Sequence, residues 1–475
     1  MQIRIALPKG RLLKDTAKLT AGAGWELSDY SENARLYHLD SARYPNLSAK
    51  IFQEKDIPVQ VAMGNYDLGV CGLDWIQELL VKYPASKLVK IKGLGYGGLS
   101  LYLAASRTAG FSSLSSVQSS DNVISIASEY PNLAESLALN CRFKRFNIFP
   151  VWGAAEIYPP ENADLVLLSF KEEQEQIPDH LVPIAGVMYS RAYLIANKTS
   201  WETKDLSETL HTLSSLTRKQ HDGQDMRQIP LPVDTSVNNK TNKAAFVNIT
   251  KDTIRLALPD GHQQKHMVNV LDKANIRIKD YPSSSGNRRP EIEIPGFTVK
   301  VIRPQDMPLQ VANGNFDVAV TGKDWVKEHL YQFPSSPVTE LVDLKYGRVR
   351  IVAAVHQDIP ADDTPGLRQM AMEKGWKIRV ASEYVRIADK YARDNHLGMY
   401  RIVPTWGATE SFLPDDADIL IENTETGGTL KRHNLKIIET LFESTACLIA
   451  NSESLNSSKA AGIKSFADVL RKALD

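Results

Sequence analysis

DIPVQVAMGNYDLGVCGLDW occupies residues 56–75, and DMPLQVANGNFDVAVTGKDW occupies residues 306–325, an offset of 250 residues. The correspondence extends outward from this stretch in both directions. IRIALPKG at 3–10 matches IRLALPDG at 254–261, and GLGYGG at 93–98 matches DLKYGR at 343–348. IASEY at 126–130 matches VASEY at 380–384, FPVWGAAE at 149–156 matches VPTWGATE at 403–410, and RAYLIAN at 191–197 matches TACLIAN at 445–451. The order is collinear and the offset drifts only between 250 and 254. Chance does not produce such a series, whereas tandem duplication of a unit of roughly 220 residues does. That period is far beyond solenoid repeats, so each copy is a whole folding unit.

Length and composition agree with this. The chain has 475 residues, enough for several compact domains. It carries 56 Lys+Arg against 56 Asp+Glu, a formal net charge of zero. Nonspecific nucleic-acid binding needs a basic excess, so that class is excluded while a local basic pocket is not. Three cysteines, Cys71, Cys141 and Cys447, form no CxxC pair, which argues against a disulfide framework or structural zinc. No run of about 18 apolar residues suggests a membrane span, and MQIRIALPKGRLLKD lacks a secretory h-region. The expectation is a soluble cytoplasmic protein.

Within each copy, short apolar strands alternate with helical patterns, which predicts an α/β fold with mostly parallel sheets. IRIALP reads as a strand, followed by a turn and an amphipathic helix ending near Gly22. A second helix is expected to start around Asp56-Ile57-Pro58, because proline is favoured in a helix's first turn. RAYLIAN resembles the strands of the opening section, so the chain is expected to leave a first lobe, build a second, and return. The predicted boundaries are a first repeat at 1–227, with lobe I at 1–105 and 186–227 and lobe II at 106–185. A polar linker follows at 228–252. The second repeat is placed at 253–475, with lobe I at 253–355 and 441–475 and lobe II at 356–440.

The sharpest motif is ADILIENTETGGTL at 417–430. An apolar strand ends in the acidic Glu422, and Thr424, Thr426, Gly427, Gly428 and Thr429 form the turn beyond it. Glycines let backbone N–H groups approach phosphate oxygens, threonine hydroxyls add donors, and Glu422 can accept from sugar hydroxyls. The plain alternative is a strand–turn–helix junction with Thr and Gly as turn and cap residues. Lys9 and Arg11 flank Gly10 just past a strand end, where α/β proteins bind ligands, and they suit a polyanion such as pyrophosphate. A solvated basic turn competes with that reading. The second repeat has Asp260 and His262 at these positions. Arg303 is a further anion ligand candidate, opposite Gln53, and Arg35 and the Arg288–Arg289 pair are others. Asp324 and Glu410 recur as Asp74 and Glu156, with turn and cap roles competing against ligand roles. Trp75, Trp325, Trp152 and Trp406 suit the core better than base stacking. The histidines show no metal-ligand spacing, and no metal ligand is assigned.

These residues resemble a known family. ALPKGRL at 6–12, RPQDMP at 303–308, GNFDVAVTGKDW at 314–325 and ADILIENTETGGTL at 417–430 are similar to the catalytic core of ATP phosphoribosyltransferase, short-form type, here present twice. The resemblance implies two-lobed repeats like type II periplasmic binding proteins. It also implies transfer of the 5-phosphoribosyl group of PRPP to N1 of ATP, the first step of histidine biosynthesis, with Mg²⁺ carried by PRPP. Glu422 to Thr429 would hold the ribose and 5′-phosphate, and Lys9, Arg11 or Arg303 would stabilise departing pyrophosphate. A homo-oligomer, with a regulatory subunit as a further partner, would fit the family.

The halves depart from the pattern in opposite ways. The first has ADLVLLSFKEEQEQIPDHL in place of the loop, and the second has lost both cations of the PKGR turn. Two readings follow. The chain is a pseudo-dimer with one composite site, or it is a catalytically weak nucleotide-binding paralogue that partners a homologous catalytic subunit.

Overall fold

A computed structural model of the chain describes residues 2–31, 37–171, 177–216, 250–261, 263–283 and 286–474. The described residues fall outside nearly all of the expected linker, and they omit Arg35 and His262. The chain divides into two compact units. One comprises Met1–Val151, Tyr158–Thr241 and Trp406–Ser411; the other comprises Trp152–Ile157, Asn242–Thr405 and Phe412–Asp475.

In the first unit one sheet runs His38–Asp40, Leu47–Phe52, Ile3–Pro8, Leu68–Gly72, Ala192–Asn197, Leu88–Gly93 in spatial order. Ile3–Pro8 is parallel to both of its neighbours, and its last four residues are buried. That burial explains the continuous apolar run, because a strand covered on both faces has no polar side to alternate with. Ala192–Asn197 comes back from the other lobe and pairs antiparallel on both edges. The sheet is therefore mixed rather than mostly parallel. The second sheet has the order Leu181–Ser190, Leu99–Ser106, Leu165–Lys171, Ile124–Ser128, Phe146–Pro150 and is mixed in the same way.

The second unit repeats the plan. Its first sheet holds Phe297–Ile302, Ile254–Pro259, Val318–Gly322, Ala446–Asn451 and Val338–Asp343. Its second holds Tyr400–Pro404, Ile378–Ser382, Ile419–Thr424, Val349–His356 and Leu435–Ser444. Each sheet has its own apolar core, so each unit is two-lobed.

The lobe boundaries need correction. Leu99–Ser106 and Leu181–Ser190 pair with each other and belong to the second lobe, as do Val349–His356 and Leu435–Ser444. The apolar character of these strands does not say which sheet they join; the ten-residue return strand does, because it pairs antiparallel with the strand that left. The crossings between lobes are thus the short segments around Leu94–Gly98 and Arg191.

The helices after the central strands brace the lobes together. Leu73–Lys82 and Lys323–Gln332 start on the first lobe, yet Trp75 and Trp325 pack into the cores of the second. No helix among the described residues is long and apolar enough to cross a membrane.

Candidate functional site

In the second unit Ile419–Thr424 is the central strand that feeds the Thr/Gly turn. Ile419, Leu420 and Ile421 are fully buried, and polarity begins at Glu422 where the strand leaves the core. Thr424 Oγ1 accepts the Gly427 N–H at 2.9 Å, and Thr426 Oγ1 accepts the Gly428 N–H at 3.4 Å. Gly427 has φ of 77°, a left-handed conformation that favours glycine, and it caps the short helix Gly428–Arg432. Arg432 donates to Thr429 Oγ1 at 3.0 Å. The threonines therefore brace the turn from inside while Gly428 and Thr429 stay exposed.

Behind the loop lies a chain of hydrogen bonds. Asn423 Nδ2 donates to Glu422 Oε1 at 2.9 Å and to Tyr384 Oη at 3.0 Å. Tyr384 donates to Asp324 Oδ2 at 2.6 Å, and Ser444 donates to Asp324 Oδ1 at 2.7 Å. Burial, followed by the Asp324 carboxylate, pushes the Tyr384 phenol well up, so it remains a donor. Asp324 is buried, with one carboxylate oxygen taken by Tyr384 and the other by Ser444.

The cation expected at Arg303 is present but shared. Its Nε lies 3.4 Å from Asp260 Oδ2, and Arg288 approaches the same oxygen at 3.0 Å. Two guanidinium groups around one carboxylate leave a net positive spot. Glu410 falls in Trp406–Ser411, the stretch grouped with the first unit.

In the first unit the same triad recurs, with Ser190 and Tyr130 donating to Asp74 at 2.7 and 2.9 Å. The loop residues are replaced: Leu168, Ser169 and Phe170 stand where the second repeat has Glu422, Asn423 and Thr424. Lys9 donates to the Tyr37 hydroxyl at 3.0 Å. Arg11 forms a part-buried ion pair with Glu54, which also accepts the Gly72 N–H at 3.0 Å, and Asp74 lies 3.7 Å from the guanidinium. Burial, then Asp74, raises the Glu54 carboxyl to about 7 against the opposing pull of Arg11. Arg11, Asp74, Trp75, Tyr130, Phe170 and Lys171 line a cavity of about 340 Å³.

Sequence reasoning missed Glu54, the two tyrosines, the two serines and Asn423. Recurrence of SEY in both halves was a visible signal for the tyrosines. Glu54 opposite Pro304 was a visible divergence without a geometric meaning.

A family model described as HisG: ATP phosphoribosyltransferase matches residues 53–218 and 303–472. The ATP phosphoribosyltransferase of Pelotomaculum thermopropionicum is 32% identical over 208 residues, covering 43% of this chain and 66% of that protein. That of Chlorobium phaeovibrioides is 34% identical over 229 residues, covering 47% and 72%. The chain thus spans about two thirds of the length of the curated relatives it matches. Among solved structures, an ATP phosphoribosyl transferase (HisG:HisZ) complex from Thermotoga maritima aligns at 21% identity and a TM-score of 0.38, covering 47% of this chain and 98% of that one. An alkanesulfonate-binding protein from Xanthomonas axonopodis pv. citri aligns at 9% identity and a TM-score of 0.29, covering 47% and 73%. With both repeats matched by one family model over more than half of its length, the chain belongs to the ATP phosphoribosyltransferase family.

Proposed function

We propose that the chain transfers the 5-phosphoribosyl group of PRPP to N1 of ATP with release of pyrophosphate, the first step of histidine biosynthesis. In this reading the second repeat binds PRPP. The observation that carries it is the braced turn from Glu422 to Thr429, set at the end of the central strand of its lobe. Glu422 accepts from the ribose hydroxyls, and the exposed Gly428 and Thr429 offer backbone and hydroxyl donors to the 5′-phosphate. Arg303 faces the leaving pyrophosphate. The nucleophile is a neutral ring nitrogen, so catalysis rests on positioning and on charge placed at the departing anion, without a strong general base. Mg²⁺ travels with the diphosphate of PRPP; among the described residues no group of three or more His, Cys, Asp or Glu side chains gathers to hold a metal.

The proposed site takes no charge from Arg11, which is already paired with Glu54. Asp260, standing where the first repeat has Lys9, supports a second reading. There the cation cluster is partly neutralised, and the chain is a slow nucleotide-binding paralogue working with a homologous catalytic subunit.

The test is pyrophosphate release from PRPP with ATP by the chain alone. Turnover that Glu422→Ala abolishes supports the enzyme reading. Turnover unchanged by Glu422→Ala overturns the loop assignment, and no turnover without an added catalytic homologue favours the second reading.

A further inference from the structure

We propose that Asn423 is a positioning residue, which fixes the Glu422 carboxylate and ties it to the brace between the two lobes of the second repeat. The proposal rests on the reading of the loop as the PRPP site.

A glutamate at the end of a strand has several rotatable bonds, and ordering it on ligand binding costs affinity. Here the ordering is built in. Glu422 Oε1 accepts both the backbone N–H of Asn423 and its side-chain amide, each at 2.9 Å. The second amide proton of Asn423 goes to Tyr384 Oη at 3.0 Å. The polarity of the chain is fixed by its far end. Asp324 accepts, so Tyr384 must give it its single proton and can only accept from Asn423. Asp324 belongs to the brace helix Lys323–Gln332 on the first lobe, while Tyr384 and Asn423 belong to the second lobe. The direction of the Glu422 carboxylate is therefore registered against both lobes.

The first repeat separates architecture from function. It keeps the Asp74–Tyr130–Ser190 triad with nearly the same distances, so the triad by itself is a lobe brace. It carries Ser169 and Leu168 at the positions of Asn423 and Glu422. A serine there cannot supply two donors to two partners, and the leucine leaves nothing to orient. The amide and the carboxylate are an addition found in the repeat that has the loop.

Asn423→Ser installs the residue of the first repeat. Losing a hydrogen bond to a charged group should raise the KM for PRPP about tenfold. The KM for ATP, the kcat and the thermal midpoint should stay near their wild-type values, which a merely structural residue would not allow. Tyr384→Phe cuts the same link one bond further back and should raise the PRPP KM less, because Asn423 still holds Glu422. A PRPP KM within about twofold of wild type in Asn423→Ser, with Glu422→Ala inactive, overturns the positioning role. So does a parallel rise of both KM values with a fall in thermal midpoint. Pyrophosphate release, by the chain alone or with an added catalytic homologue, that is indifferent to Glu422→Ala overturns the loop reading, and this proposal with it.

Discussion

Position 54 shows how one residue redirects a site. In the second repeat Pro304 stands there, and Arg303 beside it approaches Asp260, as Arg288 does. In the first repeat Glu54 captures Arg11 in a largely sheltered, part-buried pair, with side-chain exposures of 11% and 16%. Breaking such a pair from one side leaves an uncompensated buried charge, which costs about 3–5 kcal/mol. Arg11→Ala is therefore expected to lower the chemical-denaturation midpoint of the first unit, and adding Glu54→Ala should restore part of the loss. A double-mutant cycle by denaturant titration reads this directly; additive single effects would contradict the pairing. The KGR turn was legible as a pair of cations, but its partner was not, because 43 residues separate Arg11 from Glu54 and only the parallel pairing of Ile3–Pro8 with Leu47–Phe52 brings them together.

The brace helices Leu73–Lys82 and Lys323–Gln332 carry the lobe junctions. Glu78 accepts the N–H groups of Asn132 and Leu133 at 2.9 Å each, at the start of the second-lobe helix Pro131–Asn140. Glu328 does the same with Arg386 and Ile387. Burial lifts the Glu78 carboxyl to about 7, against the pull of those N–H donors. A carboxyl raised above its unfolded value binds protons more tightly in the folded state. Its contribution is full below the unfolded pKa and is lost as pH rises through about 7. The thermal midpoint should fall between about pH 5 and pH 8, and Glu78→Gln should flatten part of that slope. Glu54 contributes with the same sign, so the slope is reduced rather than removed. An unchanged slope would place the carboxyl in its ordinary range. Strand and helix positions were readable here from Pro58, Pro308 and the apolar runs. The sheet that each crossing strand joins was not, since pairing partners lie up to 132 residues apart, as for Val318 and Ala450.

At the scale of the whole molecule the duplication was the most legible feature, because collinear matches survive wherever a core must be rebuilt twice. What the matches could not show is which differences matter. Leu168 against Glu422 and Ser169 against Asn423 look like ordinary drift until Tyr130 and Tyr384 are seen at the same place behind them. Nor could they show that the first unit takes in Trp406–Ser411 and the second takes in Trp152–Ile157, since compactness is not written in sequence order. The recurring phenol has a spectroscopic consequence. Tyr130 and Tyr384 are two buried reporters in near-identical surroundings within one polypeptide, distinguished by the neighbour at 169 or 423. Fluorotyrosine placed at both positions should give two ¹⁹F resonances, and titration with PRPP should move the one assigned to Tyr384 while the one from Tyr130 stays put. The unresponsive repeat then serves as a reference recorded in the same tube, at the same pH, salt and temperature as the signal it calibrates.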